Sequence, residues 1–267
     1  MYTTITDQEF GCFPRFIFDA AGITLSSAKK ALVTGRLAKR LQINRCNNYM
    51  EYFRVLAGGQ NTAEVQVAID LLTTNETYFF REPKHFELLR EQAELARNRP
   101  QPFRVWSAAC SSGEEPYSIA MVLALHLHST PFEVIGSDLS TRVLQKARTG
   151  HYPISRTTQT PQKYLQQFCL KGTGEQEGTV LVEKSLRERV QFLQVNLNST
   201  LPRLGQFDMV FLRNVMIYFN LQTKRQVVNR VLGLLKPGGH FCIGHSETLN
   251  DVNDAVQTVA PSIYRKP

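Results

Sequence analysis

Two periodicities divide the chain. Up to about residue 90, apolar positions recur at helical spacing and strand signals are few. That spacing predicts helices over Thr6–Ala21, Ser27–Ile43, Asn48–Ala57 and Thr62–Leu72, and another opening around Pro83 and running to about Asn98. Beyond it, short apolar runs predict strands near Arg104–Ala108, Phe132–Ser137, Val190–Val195, Phe207–Leu212 and Gly239–Gly244, with a last short one near Ser262–Arg265. Helical patterns fall between them, around Glu115–Leu127, Thr141–Arg148 and Gln222–Leu235. Alternation of this kind predicts an α/β domain over residues 91–267, preceded by an all-helical domain and linker over 1–90.

One stretch breaks the alternation. Between about Pro153 and Glu188 the chain offers a polar helix over Thr160–Phe168, then glycines at 172, 174 and 178 around the run Thr179–Val182. This predicts a small β-hairpin inserted into the α/β domain. Such an insertion is read either as a plain surface excursion or as a carrier of partner specificity.

The chemistry concentrates in FRVWSAACSSGEEPYSIAM, Phe103–Met121. An apolar run breaks into a small-residue turn at Cys110–Gly113, and a helix opens with Glu114, Glu115 and Pro116 in its first turn, where proline costs no hydrogen bond. Strand, tight turn and helix start form the first nucleotide-facing corner of a doubly wound domain. About twenty residues on, the next strand ends in Asp138, the distance at which an acid accepts hydrogen bonds from ribose hydroxyls. The glycines that let a backbone approach a pyrophosphate are missing, and two glutamates stand where the anion would sit. S-adenosylmethionine, with an ammonium, a sulfonium and a ribose but no phosphate, fits that corner. A helix N-terminus merely stabilised by its acids is the plainer reading of Glu114 and Glu115 alone.

Composition narrows the setting. Cys12, Cys46, Cys110, Cys169 and Cys242 are odd in number and widely spaced, against a disulfide framework or zinc site and for a reducing compartment. No apolar stretch is long enough to span a bilayer and the first residues lack a secretory pattern, so a cytoplasmic protein is expected. The net charge of +8 raises nucleic acid as a partner. Part of that charge lies on the second helix, where Val33, Leu37 and Leu41 make an apolar stripe beside Lys29, Arg36 and Arg40, with Lys39 close by. Such a stripe reads equally as a solvated face or as a docking surface for an acidic partner.

Five segments together resemble the CheR family of chemoreceptor glutamate methyltransferases, over essentially the whole chain. They are TTNETYFFRE (73–82), RVWSAACSSGEEPYSIA (104–120), GSDLSTRVLQKARTGHY (136–152), FDMVFLRNVMIYF (207–219) and LLKPGGHFCIGHSE (234–247). The resemblance implies a Rossmann-like class I methyltransferase domain, an N-terminal all-helical domain and a small inserted β-subdomain at about 153–188. It implies methyl transfer from S-adenosyl-L-methionine to glutamates on chemoreceptor cytoplasmic helices for chemotactic adaptation, leaving S-adenosyl-L-homocysteine. It assigns cofactor contacts to Asn75, Thr77, Arg81, Glu115, Asp138, Asn196, Leu197, Arg213 and Asn214, and catalytic roles to Arg81 and Tyr218. It places receptor docking at Arg36, Lys39 and Arg40, and a receptor C-terminal tether peptide at the β-subdomain, where GTGEQEG resembles the relevant loop. No nucleic acid, metal or membrane insertion is expected, and the chain should act as a monomer.

The residue types suit that reaction. A glutamate is already ionised at neutral pH, so no general base is needed. Attack of its oxygen on a methyl sulfonium annihilates charge, which favours a water-poor site and leaves alignment as the main task. A phenol at Tyr218 can orient a carboxylate without neutralising it, whereas Arg81 should shape the site more than clamp the substrate. His245 is read as structural. The competing functions are a nucleic-acid methyltransferase, disfavoured by the absence of a DPPY- or NPPY-type tetrad, a nicotinamide oxidoreductase, disfavoured by the missing glycines, and a binding protein without turnover.

Overall fold

A computed structural model describes residues 4–267, so the first three residues of the expected helical domain lie outside the described part. The chain forms two compact units: one runs to Thr74 and includes Tyr218–Lys224, the other comprises Asn75–Ile217 and Arg225–Pro267. No helix among the described residues is long and apolar enough to cross a membrane.

The first unit contains α1 (Asp7–Phe10), α2 (Cys12–Ala21), α3 (Lys30–Ile43), α4 (Tyr49–Ala57) and α5 (Thr62–Leu72). The helix expected over Thr6–Ala21 is interrupted at Gly11, where the missing side chain makes continuation costly. Thr6 and Glu9 form a reciprocal capping box, and Asn48 and Asn61 accept the N–H groups of Glu51 and Glu64 at the starts of α4 and α5. Val33, Leu37 and Leu41 are buried, as the stripe on α3 predicts. Ile23 bridges Phe219, and Thr24 N donates to Tyr218 O at 2.7 Å, which ties 218–224 into this unit.

The second unit opens with α6 (Lys84–Leu95), which packs along α7 (Glu114–His126). This helix therefore belongs to the α/β unit, and the break falls after Thr74 and not near residue 90. The alternation continues with β1 (Phe103–Ser107), β2 (Phe132–Asp138), α8 (Thr141–Thr149), β3 (His151–Pro153), α9 (Gln162–Phe168), β4 (Cys169–Lys171), β5 (Thr179–Val182), α10 (Lys184–Arg187) and β6 (Val190–Gln194). It closes with β7 (Phe207–Leu212), α11 (Leu221–Gly233), β8 (Leu235–Ile243), β9 (Gln257–Ala260) and β10 (Ile263–Arg265).

The main sheet has seven strands in the order β6-β2-β1-β7-β8-β10-β9. The first five run parallel, and β10 pairs antiparallel with both β8 and β9. The chain steps from β1 to β2 on one side and returns to β7 on the other, so the order reverses beside β1. In open α/β sheets ligands bind at that switch, beyond the carboxyl ends of the strands. Trp106 Nε1 donates to Ser137 Oγ at 2.9 Å, fastening β1 to β2 just below it.

The insertion is larger than the expected hairpin: β3, β5 and β4 form a three-stranded antiparallel sheet beside α9. Its flanking strands are three residues each, too short to print an alternating pattern on the sequence.

Candidate active site

The turn after β1 is held by backbone and carboxylate together. Cys110 N donates to Ser137 O at 2.8 Å, and Ser111 N donates to Asp138 Oδ2 at 2.8 Å, with Ser111 at φ 49°. Gly113 sits at φ 96°, where an added Cβ would stand 2.7 Å from Ala147 Cβ and 2.9 Å from the Tyr152 hydroxyl. Only glycine fits there. Asp138 Oδ1 also accepts Ser140 N at 2.9 Å. Asp138 thus ends β2 with its carboxylate against the turn.

The two glutamates of the corner part company. Glu114 is fully buried and accepts the Ser112 hydroxyl at 2.7 Å; burial pushes its carboxyl above the ordinary range. It does not stand beside Glu115 as a second acid in the ion network at the switch. Glu115 accepts Ser107 Oγ at 2.7 Å and Arg213 Nη1 at 2.8 Å. The end of β1, the start of α7 and the end of β7 therefore meet at one carboxylate.

Arg213, only 5% exposed, is the hub. Besides Glu115 it pairs with Glu82 at 3.0 Å and donates to the carbonyl of Arg81. Glu82, at φ 60°, further accepts Asn214 Nδ2 at 3.3 Å and His245 N at 3.2 Å. Burial alone would raise the Glu82 carboxyl, but Arg213 and these donors hold it below the ordinary range. Two carboxylates around one guanidinium leave an excess of negative charge at the switch.

Glu82, His85 and His245 bring potential metal-ligand atoms within 4.8 Å of one another. The guanidinium already supplies the cation at Glu82, and the buried His85 gives Nε2 to a hydrogen bond with Ser262 Oγ at 2.9 Å. His245 is the exposed member of this cluster, its ring against that of His85 at a centroid distance of 5.3 Å.

The remaining predicted residues have the following partners. Asn75 O accepts Ser111 Oγ at 2.8 Å, and the buried Thr77 has its carbonyl held by Arg156. Arg81 Nη1 donates to Glu76 O at 3.1 Å, its guanidinium 5.7 Å from the Tyr78 ring centre. Asn196 and the buried Leu197 follow β6, whose Gln194 pairs with Asp138; Asn196 Oδ1 accepts Asn198 N at 2.9 Å. Tyr218 ends a single 3₁₀ turn, Met216–Tyr218, and belongs with the helical unit.

On α3 the expected basic stripe is altered. Arg40 pairs with the buried Glu64, which also accepts the Tyr52 hydroxyl at 2.6 Å. Arg36 Nη1 donates to Leu71 O at 3.1 Å and Thr73 O at 2.8 Å. Both guanidiniums are spent inside the helical unit, and Lys39 is the exposed member of the expected docking trio.

The family model described as CheR methyltransferase, SAM binding domain, matches residues 75–264, and that of the CheR methyltransferase all-alpha domain matches residues 8–73. The chain belongs to the CheR methyltransferase family. It is 40% identical over 262 residues to chemotaxis protein methyltransferase 2 of Pseudomonas aeruginosa, covering 97% of this chain and 93% of that protein. It is 42% identical over 251 residues to the chemotaxis protein methyltransferase of Salmonella typhimurium (93% and 86%), and 40% identical over 265 residues to that of Escherichia coli (97% and 91%). The second unit is thus the CheR domain that binds S-adenosylmethionine, and the chain is a methyltransferase that depends on it.

Within the CheR segments, sequence reasoning passed over Glu82 and Glu247. Glu247 accepts Gly244 N at 2.6 Å, Met216 N at 2.8 Å and Asn214 N at 2.9 Å. Both acids sit inside quoted motifs: Glu82 just before α6, and Glu247 four residues after the end of β8.

Proposed function

We propose that the chain methylates glutamate side chains of chemoreceptor cytoplasmic domains, forming methyl esters for chemotactic adaptation, and that it does so in the cytoplasm as a monomer. One observation carries the reading: the corner above β1 combines a tight turn with Glu115 and Asp138 and an excess of carboxylate over guanidinium. Such a corner repels a pyrophosphate and suits a cationic, hydroxyl-rich group. The names of the relatives, chemotaxis protein methyltransferases, support the choice of receptor substrate.

S-adenosylmethionine, when bound, supplies a methyl group on a sulfonium. Asp138 would take ribose hydroxyls, Asn196 and Leu197 the edge and face of adenine, and Glu115 the positive end of the amino-acid part. Asn75, Thr77, Arg81, Arg213 and Asn214 complete the contact set. Tyr218 orients the incoming glutamate carboxylate by a hydrogen bond that leaves its charge in place, and Arg81 shapes the approach. The receptor helix docks through Lys39, and the sheet β3-β5-β4 takes a receptor tether. Transfer of labelled methyl from the cofactor to a receptor cytoplasmic fragment tests the reading.

A further inference from the structure

Tyr218 is carried by a 3₁₀ turn of three residues, Met216–Tyr218. A turn that short has backbone N–H groups at its start with no partner of its own. The acceptor comes from the loop after β8: Glu247 Oε1 takes Met216 N at 2.8 Å, while Oε2 takes Asn214 N at 2.9 Å and Gly244 N at 2.6 Å. One carboxylate therefore spans the loops leaving two neighbouring parallel strands.

The surroundings are built for this contact. An added Cβ on Gly244 would stand 2.8 Å from Glu247 Oε2, 2.9 Å from Asn214 N and 2.5 Å from Asn214 Nδ2, so only glycine leaves room for the carboxylate. Asn214 is held at φ 56°, a backbone state that a β-carbon disfavours and that the bond from its N–H to Glu247 stabilises.

We infer that Glu247 is a positioning residue for methyl transfer: it caps the turn that presents Tyr218. The inference rests on the orienting role proposed for Tyr218. In Glu247→Gln one oxygen becomes an amide donor, which faces a backbone N–H and cannot accept from it. The turn then loses part of its anchor while the volume of the side chain is kept.

The test is a double-mutant cycle on the full chain, with methylation of a receptor cytoplasmic fragment as readout. Glu247→Gln is expected to lower kcat about tenfold, to leave KM for the receptor fragment within about twofold, and to leave the Kd of S-adenosylhomocysteine within about threefold. In a Tyr218→Phe background the same substitution should cost less than about twofold more, because the group it positions is already gone. Full additivity, with Tyr218→Phe itself slow, overturns the positioning role and leaves the role of Tyr218 standing. An unchanged rate for Tyr218→Phe overturns the role of Tyr218 and the inference with it. Should Glu247→Gln lower the melting temperature, Gly244→Ala crowds the same carboxylate from the other side, and it must show the same split between kcat and KM.

Discussion

Arg213 Nη1 donates to Glu115 Oε2 at 2.8 Å, so the residue that follows β7 is locked to the first turn of α7. The same guanidinium meets Glu82 at 3.0 Å. Removing it leaves two carboxylates, each little exposed, facing one another without a cation. Arg213→Ala is expected to lower the unfolding free energy by about 3–5 kcal/mol in urea titrations. Arg213→Lys should recover only part of that, since an ammonium cannot meet Glu115, Glu82 and the Arg81 carbonyl at once. Equal stability of wild type and Arg213→Ala would show that the network carries no energy.

Asp138 accepts Ser111 N at 2.8 Å and Ser140 N at 2.9 Å, placing its carboxylate at the turn expected to hold the ribose. Asp138→Ala should raise the Kd of S-adenosylhomocysteine about 10–100-fold by calorimetry, the worth of hydrogen bonds to a charged group. Asp138→Asn, which keeps one acceptor oxygen, should fall between. An unchanged Kd would remove the ribose assignment.

Arg40 and Lys39 are neighbours in sequence with different work to do. Lys39 is exposed, whereas Arg40 is paired with buried Glu64. Lys39→Glu should slow receptor methylation at low salt, with the deficit shrinking as salt is added, and leave the melting temperature unchanged. Arg40→Glu should lower the melting temperature, because it sets two carboxylates together inside the helical unit. Slower methylation for neither variant would leave α3 without a docking role.

His85 is buried, and desolvation, with Arg213 nearby, pushes its imidazole down to about 3 from an ordinary 6.5. Between those values the unfolded chain binds a proton that the native chain refuses. Stability therefore falls as pH drops through the window, at about 1.4 kcal/mol per pH unit for this group. Glu82 and Asp208, both held low, add losses of the same sign in acid. His85→Asn should flatten the slope of unfolding free energy between about pH 6 and about pH 4 by close to one proton. An unaltered slope would mean that His85 is protonated in the native state.

The main strands and most helices were legible because each buries a run or stripe that local pattern records. Phe207–Leu212 and Thr62–Leu72 stand where periodicity puts them. The strands His151–Pro153, Cys169–Lys171 and Gln257–Ala260 were not, because short strands are defined by their partners and not by alternation. In the site, the turn chemistry pointed to Asp138 and Glu115. The cations were harder: nothing in the spacing of Arg36 and Arg40 distinguishes a guanidinium facing solvent from one spent on Leu71 O, Thr73 O or Glu64. Glu82 and Glu247 escaped for the same reason, since most of their partners are donors of loops distant in sequence.

Methyl esters, unlike methylated amines, release methanol in mild base. Incubating the full chain with S-adenosylmethionine tritiated on the methyl group and a chemoreceptor cytoplasmic fragment should give label on the receptor that base converts to volatile counts. Replacing the receptor's methylated glutamates by alanine should abolish it. Label that survives base, or a receptor left unlabelled while nucleic acid takes up counts, would contradict glutamate esterification.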